Sequence, residues 1–234
     1  MRSGDLFRSV SMPGIPGFRA CMLFRWVKGQ FESDLTQKHL RAMGILTAKL
    51  HKHAQSFRWP EELTPSRVSE ETVGDTIPLS LLKTHYTVAD AEMIRRTIPF
   101  IQQAMTSLGS GTDACGVIHG DLHHWNTPFH DGVARAIDFE CVQWSYYAYD
   151  MATTFSALRG HSDLSDLKAA YIDGYSSIRP LPCDWDDHLP AFDMLRAFTM
   201  IAWILETPRL RTDGWALGIL ESAVGKAKRL LGLE

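Results

Sequence analysis

Val117-Ile118-His119-Gly120-Asp121-Leu122-His123-His124-Trp125-Asn126, followed by Ala136-Ile137-Asp138-Phe139-Glu140, decides how this chain is read. An apolar run ends at His119 and delivers Asp121 at the lip of a loop. Asn126 follows five residues later, close enough for a tight loop to fold it back toward Asp121. Asp138 arrives after a turn at Asp131-Gly132. Two carboxylates and an amide are hard oxygen donors of the kind Mg²⁺ accepts alongside phosphate oxygens. The spacing assigns Asn126 and Asp138 to a metal and leaves Asp121 to orient a hydroxyl and accept its proton. Phosphoryl transfer calls for such a set, because its catalysis is mostly positioning and charge neutralisation. His119 reads as a structural histidine of the loop. The bland reading is a polar turn, where Asp and Asn are common for their local hydrogen bonds.

Working outward, 116–118 is expected to be a short buried strand. The segment 133–137 should be a second strand, paired across the Asp131-Gly132 turn, so that a β-hairpin carries the acids. Beyond it the apolar spacing of three and four predicts helices over 146–159, 163–177, 187–206 and 214–232. Upstream, 34–57 reads as a helix capped by Ser33 or Asp34, with Leu40, Met43, Leu46 or Thr47, and Leu50 on one face. His51-Lys52-His53 reads as a solvated helix end. The Pro-rich segment 58–87 is expected to be irregular with a short helix, and 88–108 to be a helix kinked at Pro99. Residues 1–20 show little periodicity, and 21–27 reads as a strand.

The 234 residues can bury a core in one domain with a small additional lobe. A net charge of −3 gives no reason to expect nucleic acid or an anionic membrane as partner. Four scattered cysteines without a CxxC read as reduced thiols. The apolar stretch 191–205 is interrupted by Asp193 and Arg196 and is too short and charged to span a bilayer. With no signal peptide at the N-terminus, a cytoplasmic location follows by default.

His119-Gly120-Asp121-Leu122-His123-x-x-Asn126, Ile137-Asp138-Phe139 and the later Tyr147-x-Tyr149-Asp150-Met151-Ala152 resemble the aminoglycoside phosphotransferase and choline kinase-like family, relatives of protein kinases. The resemblance runs from about residue 20 to the end. It implies an α+β protein kinase-like fold, made mainly of the helical large lobe with a catalytic β-hairpin and a remnant of the small-lobe sheet. Residues 1–29 would be that remnant and the hinge, and 30–234 the large lobe. The implied activity is transfer of the γ-phosphate of ATP, with Mg²⁺, to a hydroxyl of a small acceptor such as an aminoglycoside or amino alcohol. Asp121 would be catalytic, and Asn126 and Asp138 the metal ligands. Phe24, Arg25, Trp26 and Val27 would hold adenine through backbone groups, with Ile137 packed beneath it. Asp150, with His119, would brace the loop. Trp203 and Glu206 could face the acceptor, the acid suiting a cationic amine. The alternative makes Trp203 core and Glu206 a surface residue.

Two features depart from the family pattern. The metal loop reads Asp138-Phe139-Glu140, where kinases end in Gly. No Gly-rich phosphate loop or strand Lys occurs in the few residues before the hinge. The chain is therefore expected to be a truncated or shortened relative. A rival expectation is a non-catalytic, pseudokinase-like binding module that self-associates through the surface left by the missing small lobe. A third, a zinc hydrolase using His123 and His124, has a ligand spacing that fits none of the usual zinc patterns.

Overall fold

The computed structural model describes residues 8–22, 24–59, 66–181 and 184–233. Two strands, β1 (Arg8–Met12) and β2 (Ile15–Cys21), form an antiparallel hairpin at the start. The 21–27 strand expected from sequence is not present: β2 ends at Cys21, and 24–29 is irregular. Leu23 lies outside the described residues. The main chain regains order at Gln30, which bridges Phe129.

Helix α1 (Gln37–Ala54) begins at Thr36, whose N–H donates to His39 Nδ1. Its apolar face buries Leu40, Met43, Ala48 and Ala54, together with Gly44, Thr47 and His51. It packs on α6 (Leu164–Ser176) at a crossing that two glycines make possible. A Cβ on Gly44 would stand 2.0 Å from Tyr171 O, and one on Gly174 2.1 Å from Arg41 O. Only hydrogen fits between these backbones.

The segment 66–87 holds a short 3₁₀ turn and α2 (Leu79–Leu82). The single kinked helix expected over 88–108 is two helices, α3 (Val88–Arg95) and α4 (Ile98–Leu108). Pro99 sits in the first turn of α4, where its missing N–H breaks no hydrogen bond.

Strand β3 (Cys115–Ile118) is buried apart from Val117, and its neighbour is not the strand expected. It pairs antiparallel with β6 (Gln143–Tyr146), with Val117 opposite Trp144. The second hairpin, β4 (Phe129–His130) and β5 (Val133–Ala134), turns at Asp131 (φ 51°) and Gly132 (φ 73°). Two left-handed residues in sequence are what a tight Asp-Gly hairpin turn requires. β5 ends at Ala134, so residues 135–138 run irregularly from it to Asp138.

β6 feeds directly into α5 (Tyr147–Ala157), which is buried along almost its whole length. α7 (Trp185–Glu206) packs on α5 and on α8 (Gly214–Leu230). Phe192, Met194, Phe198, Ile201 and Ile204 of α7 are inaccessible to solvent and centre the larger apolar core. Leu40, Met43, Phe155, Leu167 and Tyr171 belong to a second core between α1, α5 and α6. No helix among the described residues is long and apolar enough to cross a membrane. The acid loop 119–126 leaves the end of β3 and lies against α5 and α7.

Candidate active site

The loop is held from below by α5. Asp150 is inaccessible to solvent and accepts the N–H groups of His119 (3.0 Å) and Gly120 (2.8 Å), one on each carboxylate oxygen. One turn later, Thr154 Oγ1 donates to Leu122 O at 2.8 Å. Gly120 is required here on two counts. Its φ is +80°, and a Cβ would stand 2.2 Å from Cys141 O.

Asp150 is itself held by a buried chain of side chains. His51 Nε2 lies 3.2 Å from Asp150 Oδ2, and His51 Nδ1 lies 2.9 Å from Tyr175 Oη. Arg179 donates to Tyr175 Oη at 2.8 Å, and its guanidinium lies 4.4 Å over the Tyr147 ring. Burial lowers the pKa of His51. The neutral ring that this favours can donate from Nε2 to Asp150 and accept the Tyr175 hydroxyl at Nδ1. Burial alone would raise the Asp150 carboxyl, but the hydrogen bonds from His51 and the His119 backbone hold it low. The sequence reading of 51–53 as a solvated helix end is therefore corrected at His51. Its ring has no solvent exposure and stacks on Tyr147 at 4.3 Å.

His119 joins the two acid segments. Its Nε2 lies 2.9 Å from Ile137 O, and its Nδ1 accepts the Asp121 N–H at 3.3 Å. The backbone N–H of Ile137 donates to Asn126 O at 3.1 Å. Ile137 is thus clamped on both sides by the loop, which places Asp138 beside it. Asp138 is exposed and left-handed at φ 63°.

Asp121 is partly buried, and both its oxygens are engaged. Asn126 Nδ2 donates to Oδ2 at 3.0 Å and to the Asp121 carbonyl at 2.9 Å. His123 Nε2 lies 3.5 Å from Oδ2. Oδ1 is paired with the Arg196 guanidinium, reaching in from α7. Burial pushes the Asp121 carboxyl up, but the His123 hydrogen bond and the Arg196 charge prevail and hold it below its ordinary value. Asp121 is thereby kept as a carboxylate that can receive a hydroxyl.

The structure brings His119, Asp121, Asn126, Ile137 and Asp150 into one hydrogen-bonded assembly, with Asp138 next to Ile137. Phe24 and Trp26 stand well out in solvent at 77% and 86% exposure. Arg25 is also exposed and Val27 partly buried in the same irregular stretch. Trp203 is 46% exposed, so it is not a core residue, and its ring lies 5.9 Å from that of Trp215. Glu206 is exposed at the last position of α7. Sequence reasoning missed two residues, Arg196 and His51. Each had a signal: Arg196 is, with Asp193, one of two charges within an apolar helical run, and His51 falls on the apolar stripe of α1.

The phosphotransferase enzyme family model matches residues 14–182. The chain belongs to this family. The chain is similar to the microcompartment-associated aminopropanol kinase, with a TM-score of 0.76 and 26% identity over 99% of this chain and 74% of that one. An amicoumacin kinase solved in complex with AMP-PNP, Ca²⁺ and Ami superposes with a TM-score of 0.74 at 18% identity, covering 97% of this chain and 69% of that one. The uncharacterized protein sll1119 of Synechocystis sp. is 22% identical over 92% of this chain. The chain spans 59% of the length of that curated relative. The fold is therefore protein kinase-like, α+β.

Proposed function

We propose that this family member transfers the γ-phosphate of ATP to a hydroxyl of a small acceptor, of the amino-alcohol or aminoglycoside kind its relatives are named for. The observation that carries the reading is the clamp on Ile137, which binds the Asp121–Asn126 loop to the segment bearing Asp138. Asp121 serves as the group that orients the acceptor hydroxyl and takes its proton. Its low pKa suits orientation more than strong base chemistry, which is adequate where the transition state is loose.

The residues fit a Mg²⁺-type cation. Asn126 spends Nδ2 on Asp121 and keeps Oδ1 to offer, and Asp138 contributes an exposed carboxylate. When bound with nucleotide, the cation would neutralise phosphate charge. Phe24–Val27 would hold adenine through backbone groups, with Ile137 packed beneath it.

One observation favours a second reading as a binding module: Phe18, Phe24, Trp26 and Phe139 are large apolar side chains at least half exposed.

Titration calorimetry of MgATP into the whole chain, with Asp138→Ala as control, separates the readings. Metal-dependent binding that the variant loses is expected. No heat from the folded wild-type chain would overturn nucleotide binding and favour the module.

A further inference from the structure

A second charged cleft lies between the end of α5, α6, the start of α7 and the end of α8, with a volume of about 680 Å³. Its walls are apolar at Ala152, Phe155, Leu189 and Pro190. Its floor is not. Lys226 of α8 is buried, with its side chain 7% exposed, and its ammonium sits 3.3 Å from Asp193 Oδ1. The other oxygen of Asp193 is taken by the guanidinium of Arg159. Two cations thus share one carboxylate in a partly dry place. Lys168 adds a third positive group, 5.3 Å over the Phe155 ring, and Arg229 a fourth at the rim. Asp186 and Asp187 also line the cleft, but both are exposed in the first turn of α7. Asp186 and Asp187 thus stand at the mouth, while Lys226 and Asp193 lie deeper.

Burying an ammonium costs free energy unless its charge and three donors are matched. Asp193 supplies one acceptor for Lys226 and is already neutralised by Arg159. Burial accordingly pushes Lys226 down to about 8, against the pull of Asp193.

We propose that this cleft binds a small molecule through an anionic group, a carboxylate or a phosphate, held by Lys226 and Arg159, with its apolar part against Phe155 and Leu189. The site does not depend on the phosphotransfer reading. It lies one turn of α7 from Arg196, the partner of Asp121, so an occupant sits close to the acid loop without touching it.

The test uses the full chain and two probes at constant ionic strength and pH 7: sulfate, a tetrahedral dianion, and propionate, a carboxylate with an apolar tail. Binding is followed by calorimetry in wild type, Lys226→Met and Arg159→Gln. Saturable binding of either probe, weakened at least about tenfold in both variants, is expected, since each loses a charge-assisted contact. The better probe identifies the anion class. Sulfate favours burial in any protein, so the difference between wild type and variants is the readout. Absence of saturable binding by wild type, or equal binding by a folded Arg159→Gln chain, would overturn the proposal. Arg159 is exposed, so its substitution leaves the fold intact even if Lys226→Met does not.

Discussion

Asp121 sits between influences that pull its proton affinity in opposite directions. Burial raises it, and His123 and Arg196 lower it. The balance makes a residue-scale prediction. In an acceptor-phosphorylation assay, Asp121→Ala should lower turnover about 10²–10⁴-fold, the usual span for a general base. Arg196→Gln should act differently. Removing the cation lets the Asp121 pKa rise, so the acidic limb of the pH–rate profile moves to higher pH while activity above the limb persists in part. An unmoved limb would show that Arg196 does not tune Asp121. That Asp121 and Asn126 meet within one loop was legible in the sequence, because it depends only on their spacing. Arg196 was not, because its link to Asp121 spans 75 residues of chain.

At the scale of elements, the site depends on how closely helices approach. α1 carries His51 toward Asp150 only because α1 and α6 touch backbone to backbone at Gly44 and Gly174. Gly44→Ala places a methyl against the Tyr171 carbonyl, which no rotamer can relieve. We expect a loss of about 1–3 kcal/mol in urea unfolding, the cost of overpacking a tight contact. A neutral result would mean that the helices can part without loss. The helices themselves were readable from apolar periodicity, and Pro99 marked the break between α3 and α4 in all but the exact form. The strands were less readable. β6 is four residues long and carries Gln143 and Ser145 between aromatics, so it shows neither a long alternation nor a clear boundary before α5. The described side chains of β1 and β2 are solvent-exposed, so they give little hydrophobic pattern to read.

For the whole molecule, the His51–Asp150 pair joins the first large helix to the acid loop, so its protonation bears on global stability. Burial holds His51 below its ordinary 6.5. The unfolded chain therefore gains a proton there, as pH falls through 6.5, that the folded chain resists. That part of the stability is complete above pH 6.5 and declines below it. Asp150, held below its ordinary 3.8, adds a second loss that starts only under that value. Thermal unfolding should show a falling Tm between pH 7 and 5, and His51→Gln should flatten this window while lowering Tm throughout. An unchanged slope would place the responsible proton elsewhere. The order of residues along the chain was enough to determine the family and the helical body, because motif spacing and amphipathic helices are local patterns. Only the tertiary structure decided that Arg196 meets Asp121, that His51 is buried under Asp150, and that Lys226 and Arg159 share Asp193. Each of these is a charge whose partner lies far away in sequence, and its meaning comes from burial, which no local pattern encodes.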